Sequence, residues 1–112
     1  ANTIGSVKLT VKGSLNSQLP TEYSIEQNYP NPFNPSTKIK YAIPVDGLVK
    51  IKVFDMLGRE IKTLVNEYQP AGYYTIEWDA TNNMGRKVSS GVYFYQIESN
   101  KFTKTIKMML MK

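Results

Sequence analysis

TKIKYAIPVDGLVKIKVFD, residues 37–55, decides the fold. In residues 37–43, Ile39, Tyr41 and Ile43 alternate with Lys38, Lys40 and Ala42, and in residues 48–55, Val49, Ile51 and Val53 alternate with Lys50 and Lys52. A period of two with one apolar face marks a half-buried antiparallel strand. Pro44, Asp46 and Gly47 separate the two runs with turn residues, so the stretch reads as strand, turn, strand.

The same alternation recurs on both sides of this stretch. Val7, Leu9 and Val11 share one face of residues 7–12, Ile61 anchors a run at 60–65, and Tyr74, Ile76 and Trp78 share a face in 73–78. Alternating aromatics fill 92–98, and a last run occupies 101–111. Breakers fall between them at Gly58, at Pro70 to Gly72, at Asn82 to Gly85, at Ser90 and Gly91, and at Ser99 and Asn100. Short strands punctuated by regular turn signals predict an all-β chain, an Ig-like or fibronectin-like antiparallel β-sandwich of about seven strands. Residues 61–68 are the best helical candidate, but the run is short and lacks a clear cap.

At 112 residues the chain suits one hydrophobic core, and with 41% hydrophobic and 12% aromatic residues it has the composition of a globular domain. Cys and His are both absent, which removes disulfides, thiolate zinc sites and the commonest general base. The acidic residues are scattered over turns without paired spacing, so neither an enzyme nor a metal site is expected and no cofactor is implied. The net charge of +5 comes largely from lysines interleaved with apolar residues on separate strands. That pattern argues for solvated strand faces and against nucleic acid. No apolar run is long enough for a membrane-spanning helix, and ANTIGSVKLT lacks the blocks of a signal peptide, so an export signal is expected elsewhere on a larger precursor.

Residues 13–22, GSLNSQLPTE, read as an exposed polar connection. The expected division is therefore residues 1–22, an N-terminal strand and linker that reads as the end of a preceding domain, and residues 23–112, the sandwich proper. Residues 29–35 contain three prolines, each without an amide donor, and suit a stiff inter-sheet crossover pinned by Tyr29 and Phe33. Asn31 and Asn34 are available there to satisfy nearby backbone. In DMLGRE, residues 55–60, Gly58 is expected to take positive φ, Asp55 to accept turn amides, and Arg59 to sit exposed at a hairpin tip. Asp79, Thr81, Asn82 and Asn83 offer oxygens of the kind a calcium ion takes, although turn chemistry accounts for the same residues. Trp78 with Tyr73, Tyr74, Tyr93 and Tyr95 raises a sugar-stacking platform, against which the alternation places Trp78 in the core.

Four strings together carry a resemblance: QNYPNPFNPST, VFDMLGREIKTL, AGYYTIEWDATNNMGRKVSSGVYFYQIE and the terminal FTKTIKMMLMK. In this order, from about Tyr23 to Lys112, the chain resembles the C-terminal sorting domain of the type IX (Por) secretion system of Bacteroidetes and related bacteria. Similar strings occur in Ig-like domains of flagellar hook-capping proteins and in domains appended to glycoside hydrolases. The resemblance implies a non-catalytic label at the end of an exported cargo, with the type IX translocon and a sortase-like peptidase as partners and the cargo attached covalently on its N-terminal side. It implies passage through the periplasm to the cell surface or medium, with cleavage expected in residues 14–23. By the same resemblance the candidate recognition positions are Pro30, Asn31, Pro32 and Phe33, then Gly91, Tyr93 and Phe94, then Lys104, Lys107 and Lys112. The terminal strand, with its lysines and methionines, is a candidate for β-addition and for self-association through its edge. An accessory or carbohydrate-binding module of a larger extracellular enzyme is the alternative reading.

Overall fold

The computed structural model describes residues 18–112. The expected strand over residues 7–12, and most of the expected linker, lie outside them. The described residues contain seven strands and no helix: β1 (Ser24–Ile25), β2 (Thr37–Ile43), β3 (Gly47–Phe54), β4 (Glu60–Gln69), β5 (Gly72–Trp78), β6 (Gly91–Ser99) and β7 (Phe102–Leu110). They form two antiparallel sheets, ordered β1-β2-β5 and β4-β3-β6-β7. The all-β sandwich read from the alternation is therefore the observed architecture.

The alternating apolar residues of β2 and β3 face each other across the sandwich. Ile39, Ile43, Val49, Ile51, Val53 and Ile97 are wholly buried, and each contributes about 1.5–3 kcal/mol by leaving water. The intervening Lys38 and Lys40 stay in solvent, while Lys50 and Lys52 are half-buried on the outer face. The run at 61–68 is strand throughout. β4 reaches Gln69, four residues past the expected end: residues 65–69 pair in unbroken register with Ile51 to Gly47, but Asn66, Glu67 and Tyr68 are exposed and give no apolar face to read, while two register shifts, at Ile51/Lys52 and Val53/Phe54, fall within the expected part. Such irregularities put successive residues out of phase, which blurs the period-two signal in the strand that carries them.

β1 is a two-residue strand within a longer segment that changes sheets. Ser24 and Ile25 pair with Ala42 and Tyr41 of β2, and Tyr29 still bridges Lys38. By Phe33 the chain has moved to the other sheet, where it lies parallel to β7 opposite Leu110. The peptide bonds preceding Pro30, Pro32 and Pro35 are cis. Phe33 pins this crossover, being 2% exposed, whereas Tyr29 is 80% exposed and holds only through its backbone, contrary to the expectation that both rings anchor it. Ile25 and Asn28 before it are buried, at 3% and 2% exposed, so it is the Tyr29 ring in particular that turns outward, and Phe33 is the aromatic ring of the crossover that reaches the core.

Candidate functional site

Members of all three groups of sequence-selected residues meet at one end of the sandwich, while Lys104, opposite Ile97, lies farther back along β7. Gly91 lies opposite Leu110, Tyr93 opposite Met108 and Phe94 opposite Lys107 in the β6–β7 ladder. Phe33 is bonded to the same stretch: its N–H donates to the Met109 carbonyl and its carbonyl accepts from the Met111 N–H, both at 3.0 Å. The Asn31 side-chain oxygen accepts from the Met109 N–H at 3.0 Å, and the Ser90 hydroxyl accepts from the Lys112 N–H at 3.2 Å. Segments far apart in sequence thus form one surface around residues 107–112.

Trp78 is the buried centre beneath that surface. Its ring lies 5.7 Å from Phe33 and 5.4 Å, edge-on, from Tyr93, and its indole N–H donates to the Thr81 carbonyl at 2.8 Å. Such tilted and edge contacts are the favoured aromatic geometries. Tyr93 and Tyr95 are buried too, so of the rings considered for a sugar platform only Tyr73 stands well out from the surface. The core reading of Trp78 holds.

Of the selected positions, Pro30, Asn31, Pro32, Lys104, Lys107 and Lys112 are exposed, Gly91 and Phe94 are half-buried, and Phe33 and Tyr93 are buried. The lysines do not form one patch. Strand alternation puts Lys104 on the face of Ile106 and Met108 and Lys107 on the opposite face. Nor is the terminal apolar run all surface: Met108 and Leu110 are buried, leaving Met109 and Met111 as its exposed members. On the outer face Met109 stands opposite Val92, next to the Phe94–Lys107 pair, so the surface combines apolar and cationic character.

Two residues that sequence reasoning passed over hold the site together. Asn28, 2% exposed, donates to the Thr37 hydroxyl at 2.9 Å and to the Pro30 carbonyl at 3.1 Å, and that carbonyl also accepts from Thr37 at 2.8 Å. Gln27 donates to the Lys107 carbonyl at 2.8 Å and to the Asn28 side-chain oxygen at 2.6 Å. Their only signal in the sequence is position: amide side chains flank a proline run whose own nitrogens cannot donate.

The neighbouring turns behave as their chemistry dictates. Gly58 has φ of +81°. The Asp55 carboxylate accepts from the Leu57 and Arg59 amides at 2.9 Å and pairs with the Arg59 guanidinium at 2.7 Å. The Arg59 amide above all, with Leu57 and the guanidinium, holds the Asp55 carboxyl below its ordinary range. The Thr81 hydroxyl does the same for Asp79, to which it donates. The oxygens considered for calcium have partners within the chain: Asp79 accepts from the Thr81 hydroxyl, Asn82 from the Met84 and Arg86 amides and Asn83 from the Thr63 amide, and the Lys62 ammonium lies 3.4 Å from the Thr81 hydroxyl. Among the described residues no three His, Cys, Asp or Glu side chains group as metal ligands do.

Residues 27–111 match the family model described as the secretion system C-terminal sorting domain. No curated protein matches the chain. Similar solved structures include dimeric latent PorU from Porphyromonas gingivalis, with a TM-score of 0.63 and 20% identity over 92% of this chain and 10% of that one. PorZ of the same organism, described as an essential surface component of its type IX secretion system, gives 0.53 and 22% over 80% of this chain and 11% of its own. FlgD from P. aeruginosa gives 0.54 and 21%, over 81% of this chain and 67% of its own. At these identities the likeness is one of fold, and the chain spans about a tenth of the length of PorU and PorZ.

Proposed function

Because the chain belongs to the secretion system C-terminal sorting domain family, we propose that it is a non-catalytic label, read by the type IX machinery, that carries an attached cargo across the outer membrane. The observation that supports this most is the convergence of the three motif segments on the surface around residues 107–112. A receptor touching that surface meets Pro32, Phe94, Lys107, Met109, Met111 and Lys112 at once, although they are distant in sequence. The surface is composed only when the sandwich is folded, so a folded state is what the receptor reads. The periplasm is where that reading takes place, with the cell surface or medium as destination.

We further propose that a sortase-like peptidase separates cargo from label within residues 14–23. Gln18, Leu19, Thr21 and Glu22 are exposed, although Pro20 between them is buried, and they precede the first described strand, which favours access by a protease. Residues 1–22 then stay largely with the cargo side and residues 23–112 form the removable unit.

The test is a fluorescent reporter with an inner-membrane signal peptide at its front and this chain at its back, expressed in a bacterium with a type IX system. Deleting residues 104–112 would take the buried Met108 and Leu110 with it, so the informative variants are surface ones: Lys107→Glu with Lys112→Glu, and Met109→Ser with Met111→Ser. Export that is lost while the purified fusion keeps its thermal midpoint supports recognition at this surface. Undiminished export of both variants overturns it.

A further inference from the structure

The outer edge of β7 is occupied along only part of its length. Met109 turns both its N–H and its carbonyl away from β6, toward Asn31 and Phe33, and the Lys107 carbonyl faces Gln27. In an antiparallel strand backbone groups alternate sides, so Thr105 and Thr103 turn their N–H and carbonyl groups outward as well. Among the described residues nothing bonds to them: at β1 the neighbouring segment is hydrogen-bonded to β2 in the other sheet and meets β7 only through side chains, Tyr23 on Phe102 and Gln27 on the Lys107 carbonyl, and its backbone pairs with β7 only at Phe33, after the prolines. A sheet edge with unpaired donors and acceptors is a template for another strand.

The side chains along this edge specify what that strand carries. Phe102, Lys104 and Ile106 share one face, with Phe102 and Ile106 half-buried and Lys104 exposed. Thr103, Thr105 and Lys107 share the other. Lys101, Lys104 and Lys107 take part in neither of the ion pairs found among the described residues, which are Lys52–Glu60 and Arg59–Asp55. Residues 101–107 contain no acidic residue. Charges directly opposite each other in neighbouring strands attract or repel according to sign, so a basic edge rejects a second copy of itself and favours a carboxylate-bearing strand.

We propose that residues 103–107 accept an extended acidic segment of a partner protein as an added strand, with apolar side chains set against Phe102 and Ile106 and a carboxylate between them opposite Lys104. The pattern required is apolar, any, acidic, any, apolar. This rests on the recognition reading above and adds to it a second contact, at the neighbouring edge of β7 and with one partner chemistry. Residues 107–111 contribute little to this strand, since their outward groups are already bonded within the chain.

The test uses the whole 112-residue chain, isotopically labelled, titrated at low salt with the peptide acetyl-SVTETVS-amide and with its lysine counterpart acetyl-SVTKTVS-amide. Both peptides read the same in either direction, so strand polarity does not affect the result. The expected outcome is a saturable shift of the Thr103, Thr105 and Lys107 amides with the glutamate peptide, and binding of the lysine peptide weaker by about fivefold, the scale of a cross-strand charge pair. Lys104→Glu, an exposed change, should reverse the preference, and Thr105→Pro, which removes an outward donor, should abolish binding. No saturable shift at millimolar peptide, shifts confined to other strands, or an unchanged preference in Lys104→Glu would each overturn the site. Because purified protein and peptide suffice, such a failure leaves the export reading, tested by the reporter, untouched.

Discussion

Residues 23–33 and β7 run side by side, and the contrast between their two points of contact is instructive. Near the start of β7, Tyr23 stacks on Phe102 with ring centroids 5.1 Å apart and planes 11° from parallel, both rings half-buried, and the Tyr23 hydroxyl accepts from the Asn100 amide. Near its end, Phe33 is buried against Trp78 and flanked by two backbone bonds to Met109 and Met111. The same two segments are thus joined once by a surface stack and once by a ladder seated on the core. What separates the two contacts energetically is water: a ring that remains wet gives up little solvent-exposed area on folding, while a ring removed from it gives up nearly all.

The largest expected effect follows from that difference. Phe33→Ala should destabilise the chain by about 3–5 kcal/mol, the range for emptying a buried aromatic site. It should also speed hydrogen exchange at the Met111 amide, because the backbone of Phe33 loses its anchor. Urea denaturation with native-state exchange reads both. A loss under about 1 kcal/mol would mean that the Asn31 and Phe33 backbone bonds hold the crossover without the ring, and the two contacts would then be alike.

How much of this was legible in the sequence depends on the range over which each feature is encoded. β2, β3 and β5 announce themselves because lysine, threonine or glutamate alternates with apolar residues along much of each strand, and β6 does so through its alternating aromatics. β4 extends past its legible part because Asn66, Glu67 and Tyr68 are exposed and present no apolar face, and β1 is not legible because two residues make no period. Trp78 was correctly placed in the core, since Tyr74 and Ile76 share its face. The convergence of Phe33 and Gly91 on Leu110 was not legible: it is a long-range contact that no local pattern encodes, and only the resemblance to a known family put Phe33 and Gly91 in one list, without Leu110. Gln27 and Asn28 were missed for the converse reason, as their roles depend on carbonyls brought to them by the fold.

A mid-sized effect probes the middle of the same segment. The Tyr95 hydroxyl, buried in the core of β6, donates to the Glu26 carbonyl at 2.5 Å and ties residues 23–33 to the four-stranded sheet between the two contacts. Burial, which disfavours the phenolate, pushes Tyr95 from an ordinary 10.0 to about 12. Between those values the unfolded chain has released the proton and the folded chain has not, so the unfolded state binds fewer protons and stability falls as pH rises. Below pH 10 the group leaves stability independent of pH. The loss across this window is on the order of 2 kcal/mol. Tyr41, also pushed to about 12 by burial, adds a similar slope. Tyr95→Phe therefore should be less stable than the parent at pH 8, by about 1 kcal/mol for the lost hydrogen bond, and should show roughly half the parent's decline above pH 10. Equal declines would place the titration elsewhere.

Two variants at Tyr23, the second of them with the smallest effect of all, sharpen the comparison from its exposed side. Tyr23→Ala removes a stacked pair and a hydrogen bond to Asn100, but the ring it deletes is already partly in water and leaves no sealed cavity. The stack beyond simple burial is worth about 0.5–1.5 kcal/mol, so the total loss should stay near 1–2 kcal/mol, well below that of Phe33→Ala. Tyr23→Phe isolates the hydroxyl and should cost under about 1 kcal/mol, because an exposed partner exchanges one hydrogen bond for another with solvent. Exchange at the Met111 amide should be unchanged in either variant, since the ladder at Phe33 does not depend on the stack. Faster exchange there on loss of Tyr23 would show that the segment is fastened as a single unit from end to end, and the division into a wet contact and a dry one would fail.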